Sequence, residues 1–122
     1  MPYDTEGALD KIKEIKGFIA AAVGHAESGM AMGMAGGGDS FNIDIAVAMN
    51  SDVVKAKLMA AKALGIEGGI EDILITLQDQ YHLIRPFRGN PVVFFYLALD
   101  RSQANLAMAR FALEQVESSY EL

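Results

Sequence analysis

Cysteine is absent from this 122-residue chain, and so are several other features that would point to a particular chemistry. Without cysteine the chain forms neither disulfides nor thiolate zinc sites, which is compatible with a reducing compartment. Lysine and arginine form no local cluster, and the formal net charge of −6 opposes binding to phosphate backbones and anionic membrane surfaces. We therefore expect no nucleic-acid partner.

Long apolar runs and targeting signals are lacking as well. The apolar runs fall far short of the ~20 residues that a membrane-spanning helix needs. Residues 1–6 have neither the basic start nor the apolar segment of a secretory signal. These absences predict a soluble cytoplasmic protein without membrane insertion.

What the chain does contain is enough apolar material for a core. Hydrophobic residues make up 52% of the sequence and charged residues 21%, a balance that indicates a folded protein rather than a disordered one. The length fits one domain over residues 1–122. Seven methionines suggest adaptable packing, either at a binding surface or as gap-fillers in the core.

Periodicity and turn residues predict the order α-β-β-α-β-β-β-α. Residues 92–99 are apolar at every position, which is typical of a strand covered on both faces. We therefore expect an α/β (α+β) fold, a three-layer α/β/α sandwich around a mainly antiparallel five-stranded sheet. The predicted helices run from Asp4 or Thr5 to Gly17, from within residues 39–42 to Leu64, and from a Ser102 cap to Tyr120; the predicted strands cover residues 18–23, 30–34, 72–78, 81–87 and 92–99.

The middle helix has too much apolar surface for one sheet to bury. At about 100° per residue, its polar residues Asp44, Ser51, Lys55 and Lys62 fall within a sector of roughly 40°. The apolar arc is about twice the ~100° that a helix on a sheet requires, and soluble monomers rarely expose such a patch. Two copies packed across a two-fold axis would cover it. The alternative is that alanine is simply a good helix former at exposed sites.

The same polar strip is the best candidate for a partner-binding surface. A two-fold dimer would present Asp44, Ser51, Lys55 and Lys62 twice, beside the paired helices. The strip is equally compatible with a plain solvated face.

No catalytic, cofactor or metal site is predicted. Residues 33–40 resemble a phosphate-binding loop in spacing, but Asp39 stands where the lysine must be, so we expect a flexible loop. His25 and His82 are the only histidines, and a metal site needs about three or four ligands. We interpret the cluster of Glu67, Glu71 and Asp72 as a charged loop ahead of a strand rather than an acid/base pair.

Several segments resemble the roadblock family, the dynein light-chain type of domain. The main carrier is Ala-Asn-Leu-Ala-Met-Ala-Arg at residues 104–110, which follows a strand ending in Leu-Ala-Leu-Asp. The alanine-rich middle helix ending at residues 63–65 and the strand Ile-Leu-Ile-Thr-Leu at residues 73–77 support it. The resemblance covers the whole chain. It departs at residues 28–32, where relatives often have an Asp-Gly turn.

The resemblance implies a homodimer in which the middle helices pair and the edge strand after them takes part. It also implies a scaffold or regulator without a catalytic site, commonly beside a small Ras-like GTPase in bacteria. The residues predicted at the dimer interface are Val47, Val53, Val54, Leu58 and Ala61 on the helix and Ile73, Ile75 and Leu77 on the strand.

Two function hypotheses follow. The first is a non-enzymatic homodimer that docks a GTPase or another signalling protein. The alternative is a small-molecule sensor with an apolar cavity near Met30, Met32 and the Gly36 loop, because folds of this general kind host many functions.

Overall fold

Five antiparallel strands form one open sheet in the order β2-β1-β5-β4-β3. The computed structural model describes residues 3–120. The predicted element order and the antiparallel five-stranded sheet are confirmed. The elements are α1 (Thr5–Ile12), β1 (Phe18–His25), β2 (Met30–Gly36), α2 (Ile43–Ala63), β3 (Ile73–Thr76), β4 (Gln80–Phe87), β5 (Asn90–Asp100) and α3 (Leu106–Ser119).

Strand β5 lies at the centre of the sheet and divides the core into two apolar layers. Its side chains alternate, so that Phe95, Leu97 and Leu99 pack with α1 and α3. The intervening Phe94, Tyr96 and Ala98 pack with α2 on the opposite face. The fully apolar run at residues 92–99 is therefore covered on both sides, and the predicted three-layer arrangement is confirmed.

Helix α3 begins at a different cap from the predicted one. The carboxylate of Asp100 accepts hydrogen bonds from the Ser102 amide at 3.0 Å and from the Ser102 hydroxyl at 2.8 Å, which holds Ser102 in a turn. The side chain of Asn105 caps the helix instead, accepting from the Met108 amide at 3.1 Å. Helix α1 likewise ends early, at Ile12, and turns lead to Gly17 at φ +86°.

Two glycines allow close approach on either side of the sheet. A Cβ on Gly33 would lie 2.7 Å from Cγ2 of Thr5, so glycine lets α1 rest directly on β2. A Cβ on Gly24 would lie 2.5 Å from Cζ of Phe94 on the other face. Both positions exclude side chains for steric reasons, independently of backbone conformation.

Helix α2 is the longest described helix, with 21 residues. Asn42 caps it by accepting a hydrogen bond from the Ile45 amide at 3.1 Å, and Asp44 in the first turn and Lys62 in the last complement the helix dipole. Within residues 3–120, no helix combines the length and hydropathy needed to cross a membrane.

Candidate docking surface on helix α2 and strand β3

Helix α2 rests on the sheet through a narrow stripe of its own surface. Ile43, Val47, Ser51 and Val54 are buried, and the apolar members of this stripe pack against Phe94, Tyr96 and their neighbours. Val47 and Val54 are fully buried within the chain's own core, so their side chains offer no surface to a second copy. The part of the predicted interface that remains on the helix consists of Val53, Leu58 and Ala61, which are half-buried.

The opposite side of α2 exposes a run of large and small apolar side chains. Ile45, Met49 and Met59 are 61%, 63% and 72% exposed. At ~100° per residue, Ile45 and Met49 lie about 140–180° from Val54 around the helix. Asp52 interrupts this side. We call it the outward face of α2; it comprises Ile45, Met49 and Met59 with the exposed alanines Ala48, Ala56, Ala60 and Ala63.

The predicted polar strip divides into an exposed part and a buried residue. Asp44, Lys55 and Lys62 are exposed beside the outward face, and Lys55 Nζ lies 3.4 Å from Oδ1 of Asp52. Ser51 is only 1% exposed, because it lies about 40° from Val47 at ~100° per residue and so faces the sheet. The strip that a partner can contact therefore consists of Asp44, Lys55 and Lys62.

Strand β3 forms one edge of the sheet, since within residues 3–120 its only hydrogen-bonded neighbour is β4. Ile73 and Ile75 are half-buried in the α2-side layer, and Leu77, just beyond the strand, is 41% exposed. An unpaired edge next to exposed apolar side chains is a site where another chain can add to a sheet. The strand prediction over residues 72–78 is confirmed with a shorter extent.

The segment between α2 and β3 is held at its far end by an ion pair from α3. Arg110 donates to both carboxylate oxygens of Asp72, from Nε at 2.9 Å and from a terminal nitrogen at 3.3 Å. This bidentate pairing fixes the start of β3. Glu67 and Glu71 are exposed in the same segment, so the predicted charged loop has one structural carboxylate and two solvated ones.

His82 lies on β4 directly opposite Ile75 and has both ring nitrogens engaged. Nε2 donates to Oε1 of Gln80 at 2.7 Å, and Nδ1 accepts from the Tyr96 hydroxyl at 3.1 Å. Phe41, just before α2, packs edge-on against the imidazole with ring centroids 6.1 Å apart. Burial lowers the pKa of His82 and raises that of the Tyr96 hydroxyl, because both charged forms are poorly solvated there.

A buried ion pair on the α3 side is a second polar contact that the sequence pattern does not predict, besides the hydrogen bonds of His82. Arg85 on β4 donates from Nε to Oε1 of Glu117 at 2.6 Å, and the second oxygen of Glu117 accepts from the Arg88 amide at 2.7 Å. Both side chains are less than a tenth exposed. The pair joins β4 and the following turn to α3. The two residues are 32 positions apart in the sequence, so no local sequence pattern predicts that they form a pair.

The remaining candidates from the sequence lie at the surface. His25 contacts Ser28 in the first hairpin turn, with Nδ1 3.3 Å from the serine hydroxyl. Met30 and Met32 are 68% and 47% exposed on β2, where the sensing hypothesis placed an apolar cavity. Across residues 3–120, no three His, Asp or Glu side chains are grouped closely enough to hold a metal ion.

A groove of about 530 Å³ separates α1 from α3. Ile15, Met108 and Val116 contribute its apolar wall, and Lys11, Glu14 and Lys16 form its rim. Lys11 and Glu14 pair with each other at 3.5 Å across one turn of chain.

Comparison with known proteins identifies the fold. No protein-family model and no curated protein sequence matches the chain. Among solved structures, the roadblock/LC7 domain from Streptomyces avermitilis matches with a TM-score of 0.76 and 13% identity over 91% of this chain and 88% of that one. MglB from Myxococcus xanthus matches with a TM-score of 0.74 and 12% identity, over 92% of this chain and 84% of that one.

A further structure, named MglB with tetrameric arrangement, matches with a TM-score of 0.75 and 13% identity, over 93% of this chain and 84% of that one. At these identities the likeness establishes the fold. The chain has the roadblock/LC7 fold over nine-tenths of its length, and the resemblance seen in the sequence is confirmed at that level.

Proposed function

We propose that this protein is a non-enzymatic, homodimeric regulatory module that docks a small Ras-like GTPase or a related signalling protein. The observation that carries the proposal is the outward face of α2. Its apolar side chains are exposed in one copy and need a partner of matching character.

A two-fold pairing of α2 with α2 is the simplest way to cover that face. The exposed alanines let the two helix backbones approach closely, while Met49 and Met59 fill the gaps beside them. Pairing the two β3 edges into one extended sheet would instead set the helices side by side and leave the outward face open, so it is the alternative arrangement of the dimer. The outward pairing uses Ile45, Met49 and Met59 with the adjoining Val53. The predicted Leu58 and Ala61, which lie about 20–40° from Val54 at ~100° per residue, and the β3 residues Ile73, Ile75 and Leu77 belong to the alternative arrangement.

Such a dimer would present the exposed strip of Asp44, Lys55 and Lys62 twice on one side. Two lysines per copy are a suitable contact for an acidic patch on a partner, although the chain as a whole is acidic. The choice of a Ras-like GTPase rests on the family resemblance, and the roadblock/LC7 fold supports it. The tetrameric arrangement named for one MglB structure supports the view that this fold assembles through exposed faces.

The non-enzymatic part of the proposal is supported by how the polar side chains are used. His82, Asp72 and Glu117 are at least half-buried, and each is engaged in hydrogen bonds that hold elements together. We expect no GTP hydrolysis by the purified protein alone.

Sedimentation velocity with matched variants tests the dimer. Ala56 on the outward face of α2 and Ala107 on α3 are both exposed helical alanines. We expect the wild type and Ala107→Glu to sediment as dimers at micromolar concentration and Ala56→Glu as a folded monomer. A folded wild-type monomer, or an Ala56→Glu variant as dimeric as wild type, would contradict this interface.

Calorimetric titration of the dimer with a purified Ras-like GTPase in its GTP- and GDP-bound states tests the docking. Binding that depends on the nucleotide supports the proposal. Failure to bind Ras-like GTPases in either state would remove the GTPase assignment and leave the dimer intact.

A further inference from the structure

The sheet has a second edge, formed by β2, at the opposite end of the sheet from β3. In the part of the chain that the structure describes, strand β2 has only β1 as a hydrogen-bonded neighbour. Its seven residues, Met-Ala-Met-Gly-Met-Ala-Gly, contain neither a charged side chain nor a proline. Charges and prolines are the devices by which proteins usually block pairing at an edge strand, so this edge is chemically open.

The register shows which backbone groups point outward. The Gly37 amide donates to the Ile19 carbonyl at 2.9 Å, and Ala35 pairs with Ala21 two positions further along. Because hydrogen-bonded pairs alternate along an antiparallel ladder, Gly33 and Ala35 bond to β1. The amide and carbonyl of Met34 and the amide of Gly36 therefore point away from the sheet.

One bulge limits the length of this edge. The pairing shifts between Val23 and Gly24, which leaves Met32 as the extra residue on β2. A bulge twists a strand and ends regular pairing. The open edge beyond the bulge is therefore residues 33–36, and it ends at Gly36, where φ is +74°.

Two shallow troughs flank this edge, and acidic side chains dominate both. The first trough lies between α1 and β2 and contains Glu6, Asp10 and Lys13 beside Met32 and Met34. The second lies at the start of α2 and contains Asp39 and Asp44 beside Met34 and Gly36. Together they hold four carboxylates and one ammonium group, and Lys13 Nζ is 3.8 Å from Oδ1 of Asp10.

We propose that the β2 edge, residues 33–36, binds an extended segment of a partner protein as a sixth strand, and that this segment carries both basic and apolar side chains on each of its two faces. Backbone hydrogen bonds to Met34 and Gly36 would hold the added strand. Its side chains alternate between the two sides of the sheet, so they enter both troughs. There the basic side chains meet Glu6, Asp10, Asp39 and Asp44, and the flexible methionines contact the apolar ones.

The acidic side chains in the two troughs also oppose binding of a second copy of this chain at the β2 edge. Two β2 strands paired across a two-fold axis would bring the same acidic troughs of both copies together. Like charges facing each other across an interface oppose association, whereas a basic segment neutralises them. The site does not use the outward face of α2, and it shares only Asp44 with the exposed strip proposed for the GTPase.

Fluorescence anisotropy with short labelled peptides tests the site on the full-length protein. The probes are ten residues of repeating Lys-Lys-Val-Val (the Lys-Val peptide), the same repeat with glutamate in place of lysine (the Glu-Val peptide), and the Lys-Val peptide with N-methylated valine amides. The double repeat places lysine and valine on both faces of the added strand. We expect the Lys-Val peptide to bind at least about tenfold more tightly than either of the others. Equal binding of the Lys-Val and Glu-Val peptides, or no loss on N-methylation, would overturn the proposal.

Matched protein variants locate the binding. Met34→Lys places a charge on the open edge at residues 33–36, and Met30→Lys places the same charge on the same strand on the other side of the bulge. We expect the first to weaken Lys-Val binding about tenfold and the second less than about twofold. Equal effects of the two variants would contradict the assignment to residues 33–36.

Amide exchange followed by NMR provides a direct readout of the edge. The Met34 and Gly36 amides should exchange rapidly in the protein alone and slow down when the Lys-Val peptide is bound. Protection confined to the α1–α3 groove would overturn the proposal. So would a wild-type assembly larger than a dimer that Met34→Lys dissociates, because a second copy would then occupy the edge.

Discussion

The hydroxyl of Ser51 donates a 2.7 Å hydrogen bond to the carbonyl oxygen of Val47, one turn earlier in α2. This bond satisfies the only polar group of the side chain, so serine can face the sheet at 1% exposure among apolar neighbours. A residue that the helical wheel groups with Lys55 and Lys62 thus belongs to the core.

Substitutions at Ser51 and Lys55 should therefore have opposite consequences for stability. Ser51→Asp places a carboxylate against the sheet without a basic partner, and we expect it to lower the free energy of unfolding by about 2–4 kcal/mol. Lys55→Glu changes an exposed residue and should alter it by less than about 0.5 kcal/mol. Urea denaturation at one fixed protein concentration measures both, and similar values for the two variants would contradict the orientation of α2.

The rotation of α2 on the sheet illustrates what a sequence of this kind leaves undetermined. Apolar residues lie on nearly every side of the helix, so burying Val47 and Val54 or burying Ile45 and Met49 would satisfy the hydrophobic pattern equally well. Only the shape of the sheet beneath decides between them. The structure therefore exposes Lys55 and Lys62 and buries Ser51, although the helical wheel groups the three residues together.

By contrast, β5 could be predicted from the sequence because its pattern has one solution. An uninterrupted apolar run of eight residues can only lie between two covering layers, and the structure places it at the centre of the sheet. The cap of α3 was ambiguous, since both Ser102 and Asn105 suit an N-cap. Asp100 resolves it by binding Ser102, a contact that local preference does not reveal.

The Arg85–Glu117 pair should be sensitive to the loss of one partner. Glu117→Ala leaves the Arg85 guanidinium and the Arg88 amide without an acceptor in a buried place, and we expect a loss of about 3 kcal/mol in unfolding free energy. The double variant Arg85→Met with Glu117→Leu should recover most of it, because no charge remains buried. Denaturation of the wild type, Glu117→Ala and the double variant measures the three unfolding free energies.

A matched control separates the ion pair from the turn beside it. Arg88 contributes its backbone amide to Glu117, while the residue itself is exposed. Arg88→Met should therefore change stability by less than about 0.5 kcal/mol. A double variant no more stable than Glu117→Ala would show that packing, rather than the buried charge, dominates at this site.

Charge reversal on the exposed strip tests the partner surface. We expect Lys55→Glu combined with Lys62→Glu to weaken binding of a Ras-like GTPase by about tenfold or more, because an attraction becomes a repulsion in both copies of the dimer. The dimer itself should remain, since the strip lies beside the paired face. Calorimetric titration measures the binding, and sedimentation velocity measures the assembly state.

Lys57→Glu is the control for this prediction. Lys57 is also exposed on α2, but it lies about 140–160° around the helix from Lys55 and Lys62 at ~100° per residue. It should reduce GTPase binding by less than about threefold, an effect of overall charge alone. Equal losses in the two proteins would mean that the strip is a plain solvated face.

His82 should make the folded state sensitive to mild acid. Burial lowers its pKa in the folded protein below the ordinary value of 6.5, so between that lowered pKa and 6.5 the unfolded chain binds more protons than the folded one. The unfolding free energy should accordingly fall as the pH drops below 6.5, and the fall should stop once the pH is below the folded-state pKa. Above pH 6.5, His82 is neutral in both the folded and the unfolded protein, so its titration no longer lowers the unfolding free energy.

Two measurements check that the pKa of His82 is lowered and that the unfolding free energy falls in mild acid. The imidazole signals of His82, followed by NMR through an acid titration, should show a midpoint below 6.5, and a midpoint at or above that value would contradict the prediction. Denaturation at pH 7.5 and pH 5.5 should show a smaller difference for His82→Gln than for the wild type, because glutamine carries no proton to exchange.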